Sequence, residues 1–254
     1  MPRLSIVVPA FNESARIVSS LHKIRQFVLE QQLDSEILVV NDGSTDATVQ
    51  AVRSQIPAFQ STAALRILEN PGNRGKGYSV RHGVLQSTGA QVLFSDADLS
   101  CPIEDYCKLA HHLANGAAIA FGSRALRQSE VRIHQPKVRE YSGRVFNFLV
   151  RVATALPFHD TQCGFKLFTR EAADAVFSRQ TIEGFGFDVE ILYIARKLGF
   201  RMAEVPVVWE NAEGTRVGFT SGMRAFLDVL RVRRQDLKGV YATRGKHRHD
   251  KTGS

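Results

Sequence analysis

Up to about Gly122 the chain alternates short runs of apolar, β-branched residues with longer stretches whose apolar residues recur every three to four positions. The short runs are typical of buried strands, and the longer stretches of helices that turn one side to a core. This order predicts an α/β fold, in which crossover helices flank a mostly parallel central sheet. The expected strands are Leu4–Pro9, Glu36–Asn41, Leu65–Leu68, Gln91–Ser95 and Ala117–Phe121. The expected helices are Glu13–Gln31, Thr45–Gln55, Gly77–Gln86 and Ile103–Ala114.

Beyond Arg124 the chain becomes more basic and less regular. Its patterns predict a strand at Phe165–Thr169 followed by a helix, a strand at Arg201–Trp209, and further helices at Val138–Ala155, Phe187–Leu198 and Ser221–Leu237. Internal repeats and low-complexity linkers are absent from the sequence, so this part reads as a helix and strand elaboration of the same domain. We therefore predict one domain over residues 1–245, with halves of about 1–122 and 123–245, and a disordered basic tail at 246–254.

The composition narrows the class of protein. With 254 residues, of which 44% are hydrophobic, the chain can bury a sizeable core, and its net charge of +8 favours anionic partners. The three cysteines show neither metal-type pairing nor a disulfide framework, which favours a reducing compartment. An export signal is not visible, and the apolar stretches are shorter than the ~20 residues of a membrane span. We expect a cytoplasmic protein that, if it meets a membrane, lies on the surface.

Polar segments follow three of the predicted strands: Pro9–Glu13, Asn41–Asp46 and Ser95–Ser100. Because ligands of open α/β sheets bind beyond the carboxyl ends of the strands, we expect these segments to converge on one crevice. Asp42 is placed to accept hydrogen bonds from a nucleobase or ribose, whereas Asn12 could equally be a plain helix N-cap. The segments therefore predict a nucleotide site.

Glycines and cations begin the next predicted helix, at Asn73–Tyr78. Backbone amides and the Lys76 ammonium suit a diphosphate there, but the Walker spacing is absent, which argues against ATP hydrolysis of that type. Asp96 and Asp98 then follow a strand, where two carboxylates can share a divalent cation such as Mg²⁺ or Mn²⁺. A turn with two solvated aspartates is the other interpretation of that pair.

In this order, the Leu4–Glu13 opening, the Val39–Asp46 block, Asn73–Tyr78 and Asp96–Asp98 resemble the GT-A fold, inverting nucleotide-sugar glycosyltransferases of the family 2 type. That group contains the dolichyl-phosphate glucose and mannose synthases. Asp160–Phe168 and Gly186–Glu190 are similar to the dolichyl-phosphate β-glucosyltransferase branch. The resemblance implies a Rossmann-like nucleotide-binding sheet, and it covers about residues 4–210.

The resemblance also implies roles for individual residues. The metal and the sugar diphosphate would be held by Asp96 and Asp98, the first two catalytic candidates. Ser100 departs from the Gln that related mannose synthases often carry, so water would complete the metal shell. The nucleotide would be bound by Pro9, Phe11, Asn12, Glu13, Asp42, Lys76, Asp96 and Ala97.

A phosphate acceptor needs cations more than a general base, because a phosphate monoester is already largely ionised at neutral pH. The expected acceptor-phosphate residues are Arg124, Arg139, Ser142, Arg144 and Lys166. A solvated helix face is the other interpretation of Arg139 and Arg144. Asp188 and Glu190 lie at a predicted helix start, where one of them would orient the sugar or act as base, or else both only supply favourable charge. Asp188 is the third catalytic candidate.

Together these features predict metal-dependent transfer of a hexose, with inversion, to a polyprenyl or dolichyl phosphate. UDP-glucose is the first expected donor and GDP-mannose the second. Val145–Leu156 and Met223–Arg234 mix apolar residues with arginine, which favours peripheral contact with the cytoplasmic membrane face. Core packing is the other interpretation of this pattern.

Three alternatives remain open from the residues. One is the same donor chemistry with a glycan or small-molecule hydroxyl acceptor, in which Asp188 or Asp160 serves as base. Another is a catalytically silent nucleotide-sugar binder, which the intact Asp96 and Asp98 argue against. A basic nucleic-acid-binding protein is disfavoured, because no reader motif accompanies the basic residues, and we expect no nucleic-acid partner.

Overall fold

The computed structural model describes residues 2–131, 150–151, 153–210 and 219–242, and gives the backbone alone for residues 131 and 219–226. Its strands are β1 Leu4–Ala10, β2 Ser35–Asn41, β3 Ala64–Glu69, β4 Gln91–Ser95, β5 Ile119–Ser123, β6 Glu130–Val131, β7 Phe165–Thr169, β8 Met202–Pro206 and β9 Val208–Trp209. Its helices are α1 Ile17–Glu30, α2 Thr48–Phe59, α3 Lys76–Gln86, α4 Tyr106–Ala114, α5 Arg170–Phe177, α6 Phe187–Lys197 and α7 Phe219–Leu237. A short 3₁₀ helix, Ile103–Asp105, precedes α4.

Within the described residues, seven strands form one sheet in the order β3-β2-β1-β4-β7-β5-β8. All neighbouring strands are parallel except at β7, which runs antiparallel to both β4 and β5. The predicted α/β class with a mostly parallel sheet is therefore confirmed. β6 and β9 pair separately as a small parallel sheet.

The direction of β7 matters for the site. Phe165 at its start pairs with Ser95 at the end of β4. The segment that precedes β7 therefore lies at the carboxyl ends of the parallel strands. Strands β7 and β8 come from the second half of the chain, so that half builds part of the central sheet.

Apolar side chains cover both faces of the sheet, as the alternation along β1 shows. Ile6 and Val8 pack in a cluster with residues of α1 and α4, whereas Val7 packs on the opposite face with residues of α3, α5 and α6. Burial on both faces explains why the central strands read as continuous apolar runs.

Several predicted boundaries shift. Helix α1 begins at Ile17 and α2 at Thr48, each a few residues later than predicted, because the preceding polar residues form loops. The predicted strand Arg201–Trp209 divides into β8 and β9, which belong to different sheets. Most of the predicted helix Val138–Ala155 and the predicted tail 246–254 lie outside the described residues. In the part of the chain that the structure describes, no helix combines the length and the apolar character of a membrane span.

Candidate active site

The loops after β1 and β2 meet, as the sequence predicts. The side-chain oxygen of Asn12 accepts a hydrogen bond from the amide of Thr45 at 2.8 Å, and the Asn12 amide donates to Ser44 Oγ at 2.9 Å. Asn12 adopts a φ of 55°, a left-handed conformation that asparagine tolerates. The N-cap interpretation of Asn12 is therefore wrong, because its side chain caps the neighbouring loop and α1 begins only at Ile17.

Other nucleotide candidates line the same loop. Phe11 leaves 40% of its surface exposed at the strand tip, where a ring can stack on a base. Glu13 pairs with Arg16, a residue that the sequence analysis missed because it counted the turn before α1 as helix. The Glu13 carboxylate, with smaller contributions from Asp98 and Asp96, raises the pKa of Arg16. Arg16 therefore adds a cation beside the predicted metal ligands.

Pro9 and Ala97 contribute backbone. Pro9 lies in β1, opposite Val40 of β2, and is partly buried. The carbonyl of Ala97 accepts a hydrogen bond from Ser20 Oγ at 2.6 Å, which ties the aspartate loop to α1.

Asp42 lies buried at the end of β2 and supports the loop that leads to α3. Its carboxylate accepts hydrogen bonds from Asn70 Nδ2 at 2.8 Å and from the amides of Arg74 and Gly75 at 2.9 and 2.8 Å. Gly75 has a φ of 109°, which L side chains rarely adopt. These contacts fix the start of α3, and a nucleobase or ribose contact of Asp42 stays a prediction.

Lys76 is the first residue of α3 and reaches the end of β4. Its Nζ lies 2.6 Å from Oδ1 of Asp96. Burial alone would lower the pKa of Lys76, but the carboxylates of Asp96 and Asp188 outweigh it and raise that pKa. Lys76 is thus a fixed cation where a diphosphate is expected.

Asp96 and Asp98 are both partly exposed at the crevice. The Asp96 amide donates to the carbonyl of Gly164 at 3.2 Å, and a Cβ at Gly164 would lie 2.1 Å from Oδ2 of Asp96. A side chain at position 164 would therefore displace the Asp96 carboxylate. Asp98 Oδ1 accepts from the amide of Ser100 at 3.0 Å, which orients the second carboxylate.

The pair fits a divalent cation. The Lys76 ammonium beside Asp96 shows that this carboxylate already faces a cation in the crevice. The residues covered by the structure contain no group of three or more His, Cys, Asp or Glu side chains that could enclose a metal. Two carboxylates with the remaining positions left to water and substrate phosphates suit Mg²⁺ or Mn²⁺.

Lys166 does not have the predicted role. It is fully buried in β7, with its Nζ 2.5 Å from Oδ1 of Asp188 and 2.6 Å from the carbonyl of Cys163. The acceptor-phosphate prediction for Lys166 is therefore wrong, because its charge is sequestered in the core by a carboxylate. Asp188 lies in the first turn of α6, and burial raises its pKa despite the nearby Lys166 and Lys76.

Arg124 follows β5, and its guanidinium pairs with the carboxylate of Asp160. Two guanidinium nitrogens lie 2.7 and 2.9 Å from the two carboxylate oxygens, and the Arg124 amide donates to the same group. Asp160 is buried, whereas 32% of the Arg124 side chain is exposed. The pKa of Asp160, which burial would raise, is lowered by this arginine. Asp160 is therefore the ion-pair partner of Arg124. Arg139, Ser142 and Arg144 lie outside the described residues.

Comparison with known proteins identifies the family. Residues 5–177 match the model described as glycosyl transferase family 2. The chain belongs to this family. The predicted membership of the family 2 type and the predicted glycosyltransferase activity class are thereby confirmed.

Family 2 relatives match most of the chain. A dolichyl-phosphate beta-glucosyltransferase of Dictyostelium discoideum is 36% identical over 94% of this chain and 76% of its own length. The enzyme of the same name from Homo sapiens is 36% identical over 94% of this chain and 77% of its own length.

A solved structure shows the same fold. It is the glucosyl-3-phosphoglycerate synthase of Mycobacterium tuberculosis in complex with Mn²⁺, uridine diphosphate and glucosyl-3-phosphoglycerate. The superposition covers 94% of this chain and 80% of the synthase chain, at 20% sequence identity and a TM-score of 0.67. The predicted GT-A fold is confirmed.

Proposed function

We propose that this family 2 glycosyltransferase transfers glucose from UDP-glucose to dolichyl or another polyprenyl phosphate, with inversion at the anomeric carbon. The observation that carries the proposal is that one short segment, Asp160–Gly164, contacts both a predicted metal ligand and the predicted acceptor-phosphate residue Arg124. At one end Asp160 binds Arg124, and at the other Gly164 packs against Asp96. A cation site for the donor and an arginine for an acceptor phosphate are thus joined by a few residues.

The donor half is built from fixed charges. Asp96 and Asp98 would hold Mg²⁺ or Mn²⁺, which, when bound, neutralises the charge that develops on the UDP leaving group. Lys76 would turn from Asp96 to the diphosphate oxygens, and the exposed ring of Phe11 would stack on the uracil. The relatives' names favour glucose as the sugar, since they are glucosyltransferases, and the uridine diphosphate bound to the solved synthase favours UDP as its carrier.

The acceptor half favours a phosphate over a hydroxyl. A hydroxyl acceptor needs a base, and the two carboxylates that the sequence offers for this role, Asp160 and Asp188, are both buried in ion pairs with Arg124 and Lys166. A phosphate monoester needs no base, because it is already ionised. Arg124 instead presents a cation of fixed orientation, which suits a phosphate acceptor.

A membrane-bound acceptor requires a route to the lipid, and α7 offers one. Leu227, Leu230 and Leu237 are 59%, 51% and 86% exposed, although they are large and apolar. Helical spacing places them on one side with the exposed cations Arg231, Arg234 and Lys238, opposite the buried Val229 and Val232. We call this side the α7 face. Leucines flanked by cations suit peripheral adsorption to an anionic bilayer, at the cytoplasmic membrane face in our proposal.

A product assay tests the proposal. Purified protein would be incubated with Mg²⁺ or Mn²⁺, a short polyprenyl phosphate or a free glycan, and either UDP-glucose or GDP-mannose. We expect a β-linked glucosyl lipid, identified by mass and NMR, from UDP-glucose and the lipid phosphate alone. Asp98→Asn should abolish turnover, while the exposed Asp34→Asn serves as the matched control. A glucosylated free glycan in place of the lipid product would contradict the proposed acceptor.

A further inference from the structure

Glu190 is a fully buried carboxylate that neither half of the proposed reaction uses. It lies in α6 and accepts four hydrogen bonds, from the amide and hydroxyl of Thr181, the amide of Ile182 and the hydroxyl of Tyr241. Their lengths are 2.9, 2.7, 2.8 and 2.7 Å. Hydrogen bonds to a buried charge are strong and directional, so Glu190 fixes the backbone at 181–182.

The fixed backbone is packed against the start of α3. The Tyr78 amide donates to the carbonyl of Glu183 at 3.1 Å. A Cβ at Gly75 would lie 2.6 Å from that same carbonyl oxygen, and one at Gly77 would lie 2.5 Å from the carbonyl oxygen of Ile182. The segment 181–183 therefore touches the residues on both sides of Lys76.

We propose that Glu190 and Tyr241 are positioning residues for the donor site. Through the segment 181–183 they hold the first turn of α3, so that Lys76 and the neighbouring amides face the donor diphosphate. This inference rests on the proposed function, in that the donor is a nucleoside diphosphate sugar. Neither residue touches the donor itself.

Tyr241 connects Glu190 to the part of the chain that follows α7. It is fully buried and follows Leu237, the last residue of α7. Burial, together with the Glu190 carboxylate, raises the pKa of Tyr241, so its hydroxyl stays protonated at neutral pH and remains a donor. The residues that follow α7 are therefore linked to the segment 181–183, and through it to the start of α3, by the Tyr241 hydroxyl and the Glu190 carboxylate.

The chain offers a matched pair of tyrosines for the test. Tyr193, also in α6, donates its hydroxyl to Asp236 of α7 at 2.6 Å and accepts a hydrogen bond from Arg233 at 3.1 Å. Among the described hydrogen bonds it makes none to the segment 181–183. Tyr241→Phe and Tyr193→Phe each remove one tyrosine–carboxylate hydrogen bond between α6 and the C-terminal part of the chain. Of the two, only Tyr241→Phe removes a hydrogen bond to Glu190, the residue that fixes the segment 181–183 against α3.

We expect Tyr241→Phe to weaken binding of Mn²⁺–UDP, measured by calorimetry, about five- to tenfold, and to raise the KM for UDP-glucose by a similar factor. The kcat and the KM for the lipid phosphate should stay near the wild-type values. Without ligand, hydrogen exchange should be faster in peptides covering 74–78 and 181–183. Glu190→Gln should act in the same direction and more strongly, because its amide meets an N–H donor. Tyr193→Phe should match wild type in all these measurements.

Equal UDP affinity and equal exchange in Tyr241→Phe and Tyr193→Phe would overturn the positioning role. Wild-type protein that fails to bind Mn²⁺–UDP would instead overturn the proposed donor. The two failures are therefore distinguishable.

Discussion

Lys76 and Asp96 form an ion pair across the crevice, with Nζ 2.6 Å from Oδ1. The pair joins the first residue of α3 to the residue that follows β4. A divalent cation bound to Asp96 would compete with the lysine for this carboxylate, and a donor diphosphate would draw the lysine away. In the proposed reaction the Lys76 ammonium would thus offset the charge of Asp96 before the donor binds.

Replacing this lysine should separate metal binding from donor binding. We expect Lys76→Met to bind Mn²⁺ alone about threefold or more tightly than wild type, since a competing cation is gone. The same variant should bind Mn²⁺–UDP at least tenfold more weakly, because a charge-assisted contact to the diphosphate is lost. Electron paramagnetic resonance of free Mn²⁺ and calorimetry with UDP check the two effects. Weaker binding of Mn²⁺ alone would show that Lys76 supports the metal.

Arg124 and Asp160 can be tested as a pair. We expect Arg124→Leu to raise the KM for the lipid phosphate about tenfold or more with little change for UDP-glucose. It should also cost about 3–5 kcal/mol of unfolding free energy, because it leaves Asp160 as an unpaired buried charge. The double variant Arg124→Leu/Asp160→Asn should regain much of the stability but not the use of the acceptor. Recovery of acceptor KM in the double variant would mean that Arg124 has only a structural role.

Acid should weaken the loop that Asp46 holds. Although burial would raise it, hydrogen bonds from Thr48 and Ser14 lower the pKa of Asp46 from 3.8 to about 2. The folded-state pKa is depressed, so the stabilisation is complete above pH 3.8 and is lost as the pH falls towards 2. Urea unfolding of wild type and Asp46→Asn should therefore differ at pH 5 and converge near pH 2. A constant difference across this range would contradict the assignment.

The α7 face should govern adsorption to anionic vesicles. We expect Arg231→Glu/Arg234→Glu to reduce sedimentation with vesicles of anionic lipid at least tenfold, since each basic residue contributes about 1 kcal/mol near such a surface. Lys23→Glu/Arg53→Glu makes the same charge change on exposed residues of α1 and α2 and should have a much smaller effect. Equal loss in both variants would indicate attraction by net charge alone.

The sequence predicted the sheet, the family and the position of Asp96 after a strand, because these depend on local patterns. That Asp96 and Asp98 bind a metal stays a prediction. The carboxyl ends of parallel strands gather Asp42 and Asp96 whatever the details of the loops. Lys166 was misplaced for a physical reason. A cation in a strand is usually exposed, and only the tertiary structure shows that Asp188 of a distant helix faces it.

Loop contacts escaped prediction in the same way. Asparagine is a common N-cap residue, yet the Asn12 side chain accepts a hydrogen bond from a loop more than thirty residues away in the sequence. Arg16 lies outside the motifs, and the Gly186–Glu190 motif does not show what Glu190 binds. The partners of both residues lie in other elements or in turns whose course the sequence does not define. Such positions become visible only when the fold has brought their neighbours together.

The reversed strand β7 has a consequence for how this enzyme can be re-engineered. Because β7 belongs to the second half of the chain but is inserted between β4 and β5, exchanging everything after Ser123 for a homologous segment would also exchange a central strand. A graft of new acceptor specificity must therefore carry a β7 that fits the host's β4 and supplies a glycine beside Asp96. Chimeras whose β7 fits the host's β4 should fold, and chimeras whose β7 does not fit it should not.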